Sequence, residues 1–133
     1  MSLKSVGAIT LFVEDRLRAK QFYEAVFDAS VIFEDDTSAA FGFENTIVNL
    51  VDASSVGELI APARVASRGG GSSFLLTIWV DDADAACAAL AERGVRLFNG
   101  PIDRAWGVRT ACFADPDGHV WEVAQRLAGT DGS

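Results

Sequence analysis

One short pattern occurs twice in this chain. The segment from Thr10 to Asp15 is Thr-Leu-Phe-Val-Glu-Asp, and the segment from Thr77 to Asp82 is Thr-Ile-Trp-Val-Asp-Asp. The offset of 67 residues (82 minus 15) is about half of the 133 residues. Each copy is an apolar run with β-branched and aromatic residues that ends in an acidic pair, which is typical of a strand leading into a helix. Repetition at this distance predicts two related modules.

The segments after the two copies have the character of helices. Asp15 is a suitable N-cap for a helix over about residues 16–27, and Asp82 for a helix over residues 83–93. Gly94 is expected to end the second helix, because glycine adopts the left-handed conformation that closes many helices.

Three short β-like runs follow each predicted helix. They cover residues 31–34, 39–43 and 46–51 in the first half, and 95–98, 108–114 and 119–124 in the second. The segment Asp115–Gly118, with the sequence Asp-Pro-Asp-Gly, has the composition of a tight turn and joins the last two runs as a hairpin. Both halves are therefore predicted to follow the order β-α-β-β-β.

A Gly- and Ser-rich segment separates the two modules. It contains Pro62 and the run Gly-Gly-Gly-Ser-Ser at residues 69–73, which predicts a flexible connection with at most a short helical turn over residues 55–60. We expect one domain, with a first module over about residues 5–52, a linker over about 53–73 and a second module over about 74–126.

Charge and composition exclude several classes of partner. The net charge of −8 disfavours nucleic acid and anionic lipid, and no apolar run approaches the roughly 20 residues that span a bilayer. The N-terminus lacks the apolar stretch of a signal peptide, so a cytoplasmic location is expected. Cys87 and Cys112 form no Cys-x-x-Cys pair and are interpreted as small buried hydrophobes.

Together with the tandem modules, two motifs carry a family resemblance. Val-Glu-Asp precedes the first helix, and Asp-Pro-Asp-Gly-His-Val-Trp-Glu-Val lies near the end. The chain resembles the vicinal oxygen chelate superfamily of glyoxalases, bleomycin-resistance proteins and extradiol dioxygenases. The resemblance implies an α+β fold in which two βαβββ modules form a cup-shaped mixed sheet with helices outside, and it implies a homodimer. Enzymes of this family hold a metal with two His and two Glu side chains on the cup wall.

Mapped onto this chain, the ligand pattern is mostly missing. The two histidine positions fall on Ala8 and Leu75, and one carboxylate position falls on Asn49, whose amide is a weak neutral ligand. Only Glu122 fits the pattern. We therefore expect no metal and no other cofactor, and Glu122 is the candidate catalytic residue, since an apolar surrounding would favour its protonated form. The alternative is that Arg109 neutralises Glu122 and that neither has a chemical role.

The single histidine, His119, does not complete a metal site. Residues three apart on an unbulged strand point to opposite faces, so His119 and Glu122 are not expected to share a site. We interpret His119 as a residue of the hairpin turn.

Strand alternation predicts which side chains line the cup. Counted from Ala8 and Leu75, it places Thr10 with Phe12 and Thr77 with Trp79 on the ligand side, while the intervening aliphatic residues face the helices. Aromatic walls suit flat or cationic organic molecules. Packing in the core is the alternative for the aromatic residues. The predicted ligand-binding residues are Phe12, Asn49, Thr77, Trp79, Trp106, Arg109 and Phe113.

Two functions fit these observations. The first is a metal-free domain that binds and sequesters a drug or metabolite, as bleomycin-resistance proteins enclose a cationic glycopeptide between subunits. The second is a divergent lyase or dioxygenase-type enzyme that acts on a small oxygenated substrate, using a metal in another geometry or Glu122 with a nearby arginine such as Arg104 or Arg109. The sequence is compatible with both an enzyme and a binding protein, and a subunit of a larger assembly is a third alternative.

Overall fold

The structure is a computed structural model that describes residues 3–67, 69–72 and 74–128. The chain separates into two compact units, one within Met1–Gly70 and one within Gly71–Ser133. Each unit contains one four-stranded mixed sheet and the order β-α-β-β-β. The tandem βαβββ prediction is confirmed. No helix in the described ranges is both long and apolar enough to cross a membrane.

The first unit has a sheet in the order β1-β4-β3-β2. β1 and β4 are parallel and the other neighbours are antiparallel. Its elements are β1 (Ala8–Val13), α1 (Arg16–Val26), β2 (Ser30–Glu34), β3 (Ser38–Gly42) and β4 (Ile47–Asp52), followed by a 3₁₀ turn (Ala53–Ser55) and α2 (Gly57–Ile60). The short helical turn predicted after the first module is thus present.

The second unit repeats this topology in the order β5-β8-β7-β6. Here β5 and β8 are the parallel pair. Its elements are β5 (Leu76–Trp79), α3 (Ala83–Glu92), β6 (Asn99–Asp103), β7 (Val108–Ala114) and β8 (Val120–Arg126).

Both long helices begin at the predicted aspartates. The Asp15 carboxylate accepts hydrogen bonds from the backbone N–H groups of Leu17 and Arg18, and the Asp82 carboxylate accepts one from Ala85. These bonds satisfy donors that the first turn of a helix leaves without a partner. The repeated acidic pair is therefore the element that starts each helix.

One face of each sheet packs against the helix of its own unit, and we call it the helix face; the opposite face is called the open face. The helix faces hold the core, because strand alternation brings their apolar side chains to the same side. Buried residues of the first core are Leu11, Val13, Tyr23, Phe41, Val48 and Leu50, and those of the second are Cys87, Leu90, Ala111, Phe113, Trp121 and Val123.

One predicted strand is wrong. The apolar run at residues 95–98 is not a strand, and β6 begins only at Asn99. Val95 instead completes the end of α3, where its N–H donates to the Leu90 carbonyl and that of Gly94 donates to Ala91. This pair of bonds is the Schellman motif, with Gly94 at a φ of +84°. The apolar Val95 therefore belongs to the helix terminus.

β6 follows with an irregular register. Asn99 pairs with Cys112 and Ile102 pairs with Thr110, so that two residues of β6 lie opposite one of β7. The extra residue makes a β-bulge at Gly100 and Pro101. Glycine and proline are unfavourable in a regular strand, so the sequence gives no sign of β6 here. In the structure the same two residues form the bulge of this strand.

Candidate functional site

Two equivalent side-chain pairs lie on the open faces of the two sheets. Thr10 pairs in register with Asn49 across β1 and β4, and Thr77 pairs with Glu122 across β5 and β8. The Asn49 amide Nδ2 donates to Thr10 Oγ1 at 3.2 Å, and the Thr77 hydroxyl donates to Glu122 Oε1 at 3.0 Å. Asn49 and Glu122 therefore lie at equivalent positions of the two sheets. The resemblance assigns them to the carboxylate positions of the first and the second module.

The equivalence of Asn49 and Glu122 cannot be found by adding the repeat distance of the strand–helix pattern to the residue number. The two threonines are separated by the repeat distance of 67 residues (77 minus 10), whereas Asn49 and Glu122 are 73 residues apart (122 minus 49). The second module has six additional residues between the paired positions, a separation of 45 residues instead of 39.

A row of polar side chains crosses the open face of the second sheet. The register places Thr77 beside Glu122, Glu122 beside Cys112 and Cys112 beside Asn99, one residue from each strand. Thr77 is exposed, and Glu122 and Cys112 are half-buried. Sequence reasoning finds Thr77 and Glu122. It misses Asn99, because β6 is assigned to the wrong residues, and it treats Cys112 only as a core residue.

The Arg104 side chain lies over Thr110 and Asn99 on the same face. It lies at the start of the loop between β6 and β7, where its N–H donates to the Val108 carbonyl and Gly107, at a φ of +86°, closes the loop. The guanidinium Nε donates to Thr110 Oγ1 at 3.0 Å, and Nη2 donates to Asn99 Oδ1 at 3.3 Å. Thr110 is almost fully buried, so Arg104 is held by a fixed acceptor.

Two tryptophans lie near this row. Trp106 belongs to the same loop as Arg104 and is 64% exposed. Trp79, 50% exposed, pairs in register with Ala124 and lies under the Arg126 guanidinium, whose central carbon is 3.9 Å from the centre of a Trp79 ring. This stacking is a cation–π contact. A shallow pocket here is lined by Trp79, Val80, Asp81, Gln125 and Arg126.

The first sheet has a different open face. Thr10 is exposed there, and Phe12 and Asn49 are half-buried. Ile32 and Phe33 on β2 are both more than half exposed, and a Cβ atom on Gly42 would lie 3.2 Å from the Ile32 side chain. Thr10 and Asn49 therefore offer a hydroxyl and a neutral amide on this face, beside the apolar surface of β2.

Two predicted ligand-binding residues lie on the helix face instead. Phe113 is opposite Trp121 in the register and is 1% exposed, so it is part of the core. Arg109 forms ion pairs with Asp103 at 2.6 Å and with Asp84 of α3 at 3.1 Å. The side-chain hydrogen bond from Arg109 lowers the pKa of the Asp103 carboxyl. The structure therefore contradicts the placement of both residues on a ligand surface, and the pairing of Arg109 with Glu122 is also wrong.

His119 has a structural partner at the hairpin turn. Its Nδ1 lies 2.7 Å from Asp115 Oδ2, and Oδ1 of the same buried carboxylate accepts the backbone N–H groups of Asp117 and His119. The Phe74 ring lies 6.0 Å from the imidazole. These contacts tie His119 to the turn, which agrees with its interpretation as a turn residue.

The pKa of the Cys112 thiol depends on the charged groups around it. Burial raises the pKa of Cys112, the adjacent Glu122 carboxylate raises it further, and Arg104 lowers it. Both charged groups therefore act on the same thiol.

This arrangement predicts a change in thiol reactivity. A raised pKa means less thiolate at a given pH, and removing the Glu122 charge lowers the pKa of Cys112. Glu122→Gln is therefore expected to speed alkylation of Cys112 by iodoacetamide a few-fold at about pH 8. Peptide mass spectrometry separates Cys112 from buried Cys87. Glu58→Gln, an exposed carboxylate change on α2, is the control. An equal rate in both variants would contradict the proximity of Glu122 to the thiol.

The family model described as "Glyoxalase/Bleomycin resistance protein/Dioxygenase superfamily" matches residues 5–123. The chain belongs to this glyoxalase superfamily. A crystal structure of a glyoxalase/bleomycin resistance protein/dioxygenase from Nocardioides has the same fold, with a TM-score of 0.87 and 23% identity over 97% of this chain and 87% of that chain.

Two other proteins are similar to this chain over nearly their whole lengths. YraH of Bacillus subtilis (strain 168), described as uncharacterized, is 29% identical over 90% of this chain and 96% of its own. TnmS3 of Streptomyces sp. CB03234, described as an antibiotic binding protein, is 30% identical, with a TM-score of 0.70 over 95% of this chain and 98% of that chain.

The metal that the glyoxalase superfamily implies does not fit the donors present here. Ala8 and Leu75 have no donor atoms, and Asn49 offers a neutral amide. Within residues 3–67, 69–72 and 74–128, no group of three or more His, Cys, Asp or Glu side chains is arranged to hold a metal.

Proposed function

We propose that this glyoxalase-superfamily protein binds a small organic molecule on the open face of its second sheet, and that binding uses side chains instead of a metal. The observation that carries the proposal is the Glu122 carboxylate, which the Thr77 hydroxyl orients at 3.0 Å on a face flanked by Trp79. An oriented carboxylate beside aromatic surface is the combination of fixed polar group and apolar wall that small-molecule sites use.

Each group has a distinct part in binding. Glu122 accepts a hydrogen bond from a donor on the ligand, and Thr77 holds the carboxylate in one orientation. Trp79 and Trp106 offer exposed aromatic surface for the flat part of the molecule. Phe12 and Asn49 occupy the corresponding face of the first sheet, and their role in ligand binding stays a prediction.

The similarity to TnmS3 supports a binding function over a catalytic one. TnmS3 is described as an antibiotic binding protein, and its identity of 30% extends over 95% of this chain. By analogy, we propose that this protein sequesters a drug or a metabolite. The cytoplasmic location and the homodimer expected from the sequence also stay predictions.

Titration with three naphthalene probes tests this function: 2-naphthoate is an anion, 2-naphthamide is neutral and 2-naphthylmethylammonium is a cation. Binding is followed by tryptophan fluorescence and calorimetry. Glu122→Gln is expected to weaken binding of the amide and the ammonium about tenfold, because a charge-assisted hydrogen bond is lost. Thr77→Val should weaken both less, because the carboxylate remains.

The matched control is Glu58→Gln, which removes an equal charge from an exposed position on α2. It should bind all three probes as the unaltered protein does. Affinities of the amide and the ammonium that stay unchanged in both Glu122→Gln and Thr77→Val would overturn the assignment of the ligand to this face.

A further inference from the structure

Arg104 differs from the other arginines whose ion pairs the structure describes. Arg16 pairs with Glu34, and Arg109 pairs with Asp103 and Asp84. Arg104 is instead held by two neutral oxygens, those of Thr110 and Asn99. In the described part of the chain no carboxylate lies within ion-pair distance of it, although the chain carries 19 acidic residues.

The neutral contacts leave most of the guanidinium available. An arginine side chain has five N–H donors, and Thr110 and Asn99 take one each. Thr110 is 1% exposed, so its hydroxyl is a fixed support for the guanidinium. A half-buried, positioned guanidinium with several remaining donors matches the geometry of a carboxylate, which arginine binds with two parallel hydrogen bonds.

The charge of opposite sign lies on the same open face. Arg104 extends over β6 and β7, where Asn99 and Thr110 lie, whereas Glu122 lies on β8 beside Thr77 on β5. Neighbouring strands are about 4.8 Å apart, so one to two strand spacings, roughly 5–10 Å, separate the two charged groups. Arg104 and Glu122 therefore place charges of opposite sign on one face, which also carries the Arg126 guanidinium over Trp79.

We infer that the ligand of the second sheet carries an anionic group, a carboxylate or one of similar geometry, which binds Arg104 while a donor group of the same molecule binds Glu122. This inference rests on the proposed function, and it defines the orientation of the ligand. The reverse orientation would place the anion beside Glu122, where like charges repel. The inferred ligand also differs from the cationic molecule expected from the aromatic walls, because it has an anion at one end.

The influence of both groups on Cys112 supports this picture. Cys112 lies between Asn99 and Glu122 in the cross-strand row, and its pKa is raised by Glu122 and lowered by Arg104. A molecule lying across the thiol would reach both charges.

The three naphthalene probes also test the inference. In the Glu122→Gln protein, where the amide no longer gains from the carboxylate, 2-naphthoate is expected to bind about tenfold more tightly than 2-naphthamide, since a partly buried ion pair with hydrogen bonds adds that much affinity. Arg104→Gln should remove the preference, and Arg104→Lys should retain part of it because a point charge replaces the planar fork. Arg96→Gln removes the same charge from an exposed position before β6 and should preserve the preference in full.

The outcomes separate the two proposals. Equal affinity of the Glu122→Gln protein for naphthoate and naphthamide, or a preference that survives the addition of Arg104→Gln, would overturn the role of Arg104 while the Glu122-dependent binding of the amide still stands. Absence of binding by all three probes to the unaltered protein would overturn both. Thermal unfolding of each variant shows whether a loss of affinity comes from a loss of folded protein.

Discussion

Gly100→Ala is expected to lower the free energy of unfolding by about 2 to 5 kcal/mol. Gly100 has a φ of +90°, in the left-handed region that residues with a Cβ rarely adopt. An added Cβ would also lie 2.7 Å from Ala111 Cα and too close to the Thr110 carbonyl oxygen. Because these are backbone atoms of the central strand β7, they cannot move aside without disturbing the sheet.

Gly94→Ala separates the cost of the positive φ from the cost of the steric clash. Gly94 has nearly the same φ, +84°, but nothing lies within 4 Å of a Cβ built there. It is expected to cost about 1 kcal/mol from backbone strain alone. Urea unfolding of both variants measures the difference, and equal losses would show that the close approach of β6 to β7 is absent.

The bulge at Gly100 lies beside the residues that hold Arg104, so Gly100→Ala should also affect ligand binding. Gly100 is next to Asn99, which receives a hydrogen bond from Arg104, and opposite the segment that holds Thr110. We therefore expect Gly100→Ala to weaken binding of 2-naphthoate in the protein that remains folded, because Arg104 loses its support.

The second large effect concerns a residue that the sequence places wrongly. Phe113→Ala is expected to lower the free energy of unfolding by about 3 to 5 kcal/mol, as for other buried aromatic residues. Phe113 is 1% exposed and lies beside Trp121 on the helix face. Phe12→Ala, at a half-buried position on the open face of the first sheet, should cost roughly 1 kcal/mol. Thermal and urea unfolding measure both.

Phe113→Leu distinguishes a core role from a ligand role. Leucine retains most of the buried volume, so the fold should persist with a smaller loss of stability. Probe affinity should equal that of the unaltered protein. A large loss of affinity in a folded Phe113→Leu protein would show that Phe113 contacts the ligand.

Much of the fold is predictable because local signals agree with one another. The repeated apolar run with its acidic pair predicts β1, β5 and the N-caps of both long helices, and strand alternation places Thr10 and Thr77 on the open faces. The resemblance adds the equivalence of Asn49 and Glu122, which the register supports through their threonine partners.

The errors come from features that depend on several segments at once. Val95 looks like part of a strand because it is apolar, but its N–H completes the end of α3. The strand β6 is hidden because its Gly-Pro pair forms a bulge that only the partner strand β7 makes favourable.

The faces of Arg109 and Phe113 depend on the hairpin register. Opposing residues on β7 and β8 have numbers that sum to 234, such as 112 with 122 and 113 with 121. Since Cys112 is opposite Glu122, its neighbour Phe113 must face the helix side. The position of Arg104 has no local signal, because it depends on the bulge and on Thr110.

We expect the open face of the second sheet to bind a small organic molecule. Backbone amide chemical shifts of isotope-labelled protein, followed during titration with 2-naphthoate, test it most directly. We predict that the largest shift changes fall on Thr77, Trp79, Arg104, Cys112 and Glu122, and that Arg104→Gln reduces them. Largest changes on the helix face, around α3 and Phe113, or on residues of the first unit alone, would show that the ligand binds elsewhere.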